Sequence, residues 1–261
     1  MENRKSLLEL LHAGIEYPYV SQKNRIIYIP TAKAACTSLK WWLMEMEGYS
    51  VDDLKYLDSF EVSTDLKIHD CILQIAPYLR SSTPDKVAAM LTSGDYFTFC
   101  MVRNPYTRIF SAWQSKILLQ EPLQIQEYKD CGLLDLPINN VEDIANAFEN
   151  FLSYIYNNEF PNITNPHWKP MVELLQPDIM PYTKIYQLEH SDQMTIDLQK
   201  KFGSDVSIPL SKKDKFNDSI IPFSPVFFTD KAIEIIETLY KNDFTRFGYN
   251  IGIPEASTSF T

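Results

Sequence analysis

Glycine is scarce in this chain, with 7 residues in 261. The glycine-built phosphate loop GxxxxGK followed by Ser or Thr occurs nowhere, so a Walker-type nucleotide site is excluded at the level of sequence. Cysteine is equally sparse: Cys36, Cys71, Cys100 and Cys131 stand far apart with no CxxC pair. That spacing excludes a sequence-local zinc signature and argues against a disulfide framework. A reduced compartment follows, and no metal site is expected. Basic residues are in the minority, 24 Lys and Arg against 34 Asp and Glu, for a net charge of -10. Non-specific binding to nucleic acid or anionic membrane is thereby disfavoured. Long apolar runs are missing too. The leading segment MENRKSLLELLHAGIE is too short and too charged for a membrane span or a signal sequence, and a cytoplasmic location is the expectation.

What remains is the composition of a globular chain, 45% hydrophobic and 13% aromatic. Strand-like and helix-like stretches alternate, which predicts an α/β fold with a central parallel sheet flanked by helices. The organising stretch is Arg25 to Met46. Arg25 to Ile29 reads as a strand and Pro30 ends it. A short loop, Thr31-Ala32-Lys33-Ala34-Ala35-Cys36, follows. Thr37-Ser38 then opens a helix whose Leu39, Trp42, Leu43 and Met46 recur at helical spacing. A strand, a tight loop with one lysine, and hydroxyls at a helix start form an anion cradle, because free N–H groups and the positive helix end converge there. An exposed lysine on an ordinary turn would look the same.

A second stretch has the same grammar. Tyr96 to Val102 is an unbroken apolar run, as in a strand buried on both faces. Arg103-Asn104-Pro105 turns the chain, with Asn104 as cap and Pro105 in the first turn of the next helix. Tyr106, Ile109, Phe110, Trp113 and Ile117 form that helix's apolar stripe, leaving Thr107, Arg108, Ser111 and Ser115 off it. Arg103 carries a forked donor set suited to phosphate, and the carboxyl edge of a parallel sheet is where ligands bind. Paired with one of the many acidic residues it would be only a surface arginine.

Further along, Lys67 to Leu73 reads as loop or helix start, and Pro84 to Leu91 as helix. Val141 to Tyr156 is helical, Tyr182 to Leu188 is a strand, and His190 to Phe202 is a helix ended by Gly203. Thr229 caps a last helix that runs to Phe247. Asn157 to Pro170 is polar, broken by prolines, and holds His167-Trp168.

Taken together these motifs resemble the Golgi-type carbohydrate sulfotransferases of sulfotransferase family 2, the chondroitin and heparan 2-O branch included. YIPTAKAACTSLK resembles their 5′-phosphosulfate loop, PKxACTxxK. FTFCMVRNPYTRIFSAWQSKI resembles their 3′-phosphate motif, FxFVRxPxxRLxSAxxxK, with Arg103, Pro105, Arg108, Ser111, Ala112 and Lys116 in register. Asn165 to Pro170 is similar to an HWxP element, Tyr186 to Glu189 to a later strand ending in Glu, and Tyr240 to Tyr249 to a YxxDFxxFxY ending. One departure stands out: Thr31-Ala32 separates Pro30 from Lys33, where the family has Lys directly after Pro.

The resemblance implies a nucleotide-kinase-like sulfotransferase fold in one domain over 1–261. Its donor core would cover about 25–120 plus 180–250, with a helical acceptor-side elaboration over 120–180. It implies transfer of a sulfuryl group from 3′-phosphoadenosine 5′-phosphosulfate (PAPS) to a hydroxyl of a carbohydrate or glycoconjugate. Lys33, Thr37 and Ser38, with the amides of Ala34, Ala35 and Cys36, would hold the 5′-phosphosulfate. Arg103 and Ser111 would hold the 3′-phosphate. Four histidines exist, His12, His69, His167 and His190. His69 lies where relatives carry a histidine base, and His167 is the alternative. Lys33 would offset charge on the leaving group. Trp168 is a candidate to stack on a sugar or adenine, or to cap the core. Lys212, Lys213 and Lys215 are a candidate donor-closing cluster or a solvated loop. A soluble bacterial member of the family is the expectation. The competing readings are an ATP-dependent small-molecule kinase and a non-catalytic nucleotide-binding relative.

Overall fold

Ile26–Ile29 (β2) and Phe97–Val102 (β3) pair in parallel, with Ile29 opposite Cys100. Every residue of both strands is buried. This explains why neither shows polar alternation: each strand is covered on two faces. Lys184–Gln187 (β4) adds in parallel to the other side of β3, with Val102 opposite Gln187. Tyr19–Ser21 (β1) pairs with β2 in antiparallel fashion. Among the described residues the sheet order is β1-β2-β3-β4. This computed structural model describes residues 2–13, 18–54, 57, 66–120, 128, 131–133, 137–203 and 221–255. Lys212, Lys213 and Lys215 lie outside them.

The chain gathers into two compact units. Residues 1–102 and 173–217 form the first, and residues 103–172 and 218–261 the second. The first unit holds the sheet together with helices Glu2–His12 (α1), Cys36–Glu47 (α2), Ile68–Ile75 (α3), Pro84–Thr92 (α4) and Ser191–Phe202 (α8). Its core joins Trp42, Leu39 and Leu43 of α2, Ile68 and Ile72 of α3, Phe97 and Phe99 of β3, and Leu198 of α8. Trp42 meets Phe99 edge-on, with ring centroids 5.9 Å apart. Aromatic burial on this scale stabilises by about 1.5–3 kcal/mol per ring.

The second unit contains Pro105–Trp113 (α5), a π-helical turn over Gln114–Leu118, and helices Val141–Asn158 (α6), Asp230–Leu239 (α9) and Lys241–Phe247 (α10). Phe110, Trp113, Phe148, Phe151, Phe228 and Trp168 build its core. Asn104 caps α5 as expected, its Oδ1 accepting from Tyr106 N at 3.0 Å. Thr229 caps α9 through Ala232 N at 3.1 Å. The predicted last helix is broken at Tyr240, the cap residue shared by the end of α9 and the beginning of α10. Met171–Leu175 (α7) lies at the chain crossing between the units. No helix among the described residues is long and apolar enough to cross a membrane.

All four cysteines are free; Cys71 and Cys100 are buried, while Cys36 and Cys131 are half-buried. Burial pushes the Cys100 thiol well above its ordinary range. Maleimide labelling of the native protein, mapped by mass spectrometry, is therefore expected to reach Cys36 and Cys131 and spare Cys71 and Cys100 until denaturant is added.

Candidate functional site

In the first unit the parallel strands β2 and β3 end on one edge of the sheet. From β2 the chain enters the Pro30–Ala35 loop. Thr31 and Ala34 close a turn, Ala34 N donating to Thr31 O at 3.2 Å. The two residues that separate Pro30 from Lys33 are taken up in this turn, and α2 begins three residues after Lys33. Lys33 and Ala35 both hold left-handed backbone, φ 64° and 57°. This conformation costs non-glycine residues about 1–2 kcal/mol each. Strain of this kind is kept where a local backbone shape is needed. Alternation of handedness turns successive N–H groups toward one concavity, the geometry of an anion nest.

Helix α2 starts at Cys36, one residue before the Thr37-Ser38 pair expected to open it. Its cap is Ala35, which offers the first turn no side-chain acceptor. The amides of Cys36, Thr37 and Ser38 have no intrahelical acceptor by construction. No acidic residue occupies that turn. The positive helix end is thus left without a local carboxylate. Beside it Thr31 is 1% exposed, and its Oγ1 has no hydrogen-bond partner among the described residues.

His69 is brought to this helix by α3, which was legible in the sequence only as loop or helix start. Its Nε2 lies 2.9 Å from Thr37 Oγ1 and its Nδ1 lies 2.9 Å from Lys40 Nζ. The ring is half-buried, whereas His12 and His190 are exposed. Lys40 was not singled out in the sequence. Its signal was present: it lies three residues after Thr37 and so shares that face of α2.

In the second unit Arg103 is half-buried and its Nε donates to Thr107 Oγ1 at 3.0 Å. Thr107 and Ser111 are four apart on α5, one turn along one face. Arg103 therefore folds back along the face that carries Ser111, which helical spacing alone did not reveal. Ser111 is buried to 8% exposure. Arg108, placed off the apolar stripe by the sequence reading, is 1% exposed. Its Nη1 donates to Lys169 O and its Nη2 to Pro166 O, each at 2.9 Å.

Those carbonyls bracket His167-Trp168. Tyr240 Oη donates to Trp168 O at 2.6 Å. Asp243, fully buried, accepts from Met171 N and Val172 N at 2.8 Å each. Burial pushes the Tyr240 phenol up. His167 is half-buried with Nδ1 3.0 Å from Asn165 Oδ1. Trp168 is a core residue, 0% exposed, with Nε1 donating to Glu159 and edge-on ring contacts with Tyr128 and Phe151. A stacking role on a sugar or adenine is thereby corrected. Among the described residues no group of three or more His, Cys, Asp and Glu could hold a metal ion.

The Sulfotransferase family profile matches residues 18–250. A carbohydrate sulfotransferase 14 from Danio rerio is 22% identical over 257 residues, 94% of this chain and 65% of the relative. A carbohydrate sulfotransferase 10 from Xenopus laevis is 27% identical over 265 residues, 94% of this chain and 72% of the relative. A carbohydrate sulfotransferase 12 from Mus musculus is 23% identical over 272 residues, 94% of this chain and 62% of the relative. The chain thus spans 62–72% of the length of these curated relatives. No solved structure matches it. With the family match running from before β1 to beyond α10, through both units, the chain belongs to the sulfotransferase family.

Proposed function

We propose that this protein is a PAPS-dependent sulfotransferase acting on a hydroxyl of a carbohydrate or glycoconjugate, with His69 as general base. The observation that carries the reading is the start of α2: an uncapped helix end, left-handed backbone at Lys33 and Ala35, and an imidazole 2.9 Å from the first-turn hydroxyl of Thr37. This donor set fits a phosphosulfate, which offers several anionic oxygens to N–H, hydroxyl and ammonium groups at once. Ala34, Ala35 and Cys36 amides, Thr37, Ser38 and Lys33 take the 5′ end. Arg103, steadied by Thr107, and Ser111 take the 3′-phosphate. The carbohydrate acceptor is carried over from the relatives, which are carbohydrate sulfotransferases by name.

PAPS supplies the sulfuryl group, which passes to the acceptor oxygen as the bond to the 5′-phosphate oxygen breaks. The protein's share is positioning and charge stabilisation, which dominate in-line transfers of this kind. Lys33 offsets negative charge growing on the leaving oxygen. His69 receives the acceptor proton, an imidazole being suited to the task near neutral pH. His167 is the second candidate for that role.

The 3′-phosphate distinguishes this donor from ATP and AMP, so Arg103 provides the test. Arg103→Ala is expected to raise the Kd for 3′-phosphoadenosine 5′-phosphate (PAP) roughly 10–100-fold, the worth of a lost hydrogen bond to a charged group. AMP affinity, measured by the same calorimetry, is expected to stay unchanged. Equal losses for PAP and AMP would place Arg103 away from the 3′-phosphate.

A further inference from the structure

Lys40 is outside the ligand set described above, and its surroundings are unusual for a lysine. It is 9% exposed. Its ammonium contacts His69 Nδ1 at 2.9 Å and lies 5.6 Å from the centroid of the Tyr19 ring. Neither partner is a carboxylate, and among the described residues no carboxylate pairs with Lys40. The Arg80 guanidinium sits over the same Tyr19 ring, 4.1 Å from its centroid, so the ring already carries a second positive charge. A buried cation without a counter-ion is costly. One turn back along the same helix is the uncapped first turn, with no acidic residue in it. A polyanion bound there would supply the missing charge.

The same contact fixes the protons of His69. An ammonium has donors only, so Nδ1 accepts from Lys40. The ring proton then resides on Nε2 and is donated to Thr37 Oγ1. In this tautomer Nε2 cannot receive a proton from an acceptor hydroxyl.

We propose that Lys40 has two stations: His69 Nδ1 when the donor is absent, and the anionic oxygens at the donor's 5′ end when it is bound. This rests on the donor reading given above. When the ammonium leaves Nδ1, one proton moves from Nε2 to Nδ1 by exchange with water, and the ring stays neutral. Nε2 then holds a lone pair. The acceptor O–H proton passes to it as the new S–O bond forms and the bond to the 5′-phosphate oxygen breaks. The resulting imidazolium returns its proton to solvent after transfer. Lys40 is thus a positioning residue that arms the base only when the donor is in place.

Nitrogen-15 NMR of histidine-labelled protein tests this, because only four histidines contribute signals. Disappearance of one set in His69→Gln identifies the ring. Without PAP, His69 is expected as the Nε2–H tautomer; with saturating PAP, as Nδ1–H. Lys40→Met is expected to abolish the PAP-dependent change and to weaken PAP about tenfold or more. Lys40→Arg, which keeps the charge, is expected to retain the change; it and the wild-type comparison remain decisive should Lys40→Met fail to fold. PAP binding with one tautomer throughout in the wild-type protein, or a switch that persists in Lys40→Met, overturns the role of Lys40 alone. Absence of PAP binding to the wild-type protein overturns the donor reading and this proposal with it.

Discussion

His69→Gln is expected to lower kcat by about 10²–10⁴-fold, the usual contribution of a positioned general base. PAP affinity is expected to be retained. Glutamine keeps an amide near Thr37 and Lys40 but takes no proton at neutral pH. The loss should therefore appear in the chemical step and not in donor binding. The prediction follows from the contact between α2 and α3: Thr37 Oγ1 and His69 Nε2 are 2.9 Å apart, so the proposed base and a first-turn hydroxyl of the proposed cradle share one small region. Single-turnover kinetics on preloaded donor would separate the chemical step from product release. A kcat within about threefold of wild type, far below what a general base contributes, would move the base to His167 or elsewhere.

Asp243→Ala is expected to cost about 3 kcal/mol of folding stability, read as a lower urea midpoint. Asp243 is 0% exposed, and both carboxylate oxygens accept backbone N–H groups, those of Met171 and Val172. Hydrogen bonds to a charged group contribute about 1.5–3 kcal/mol, and buried donors left unsatisfied add a further penalty. The affected backbone adjoins Lys169, whose carbonyl is held by Arg108. Loosening there should also disturb the turn that carries His167. The control is Asp178, on the other side of α7 in sequence and exposed, where alanine is expected to change stability by less than about 1 kcal/mol.

The two strands β2 and β3 and the caps Asn104 and Thr229 were legible because each rests on a local signal: an apolar run, a polar cap residue, or proline in the first turn. The third parallel strand, β4, was legible as well. β1 was not, since three residues without alternation carry no period and Tyr19–Ser21 is a strand only because β2 offers it partners. The helical stripe of α5 was read correctly, yet Arg108 and Ser111 are buried off it. A buried arginine has no sequence signature; what holds it here are carbonyls about sixty residues away, Pro166 O and Lys169 O. The same limit applied to His69 and Lys40, whose contact joins helices 29 residues apart. Motif resemblance singled out the Lys33 loop and the Arg103 to Ser111 segment as the proposed donor site. It could not tell which face of α2 would meet an imidazole. Trp168 shows the converse: its polar, proline-broken setting left stacking and core capping equally open, and Arg108, Tyr240 and Glu159 satisfy the polar groups around a ring that the core encloses.

Calorimetric titration of the wild-type protein with PAP, ATP and AMP tests the proposed donor most directly, because it needs no knowledge of the acceptor. Tight PAP binding, with AMP weaker by the worth of the 3′-phosphate and ATP no better than AMP, is the predicted result. ATP bound more tightly than PAP would contradict it and point to phosphoryl transfer instead.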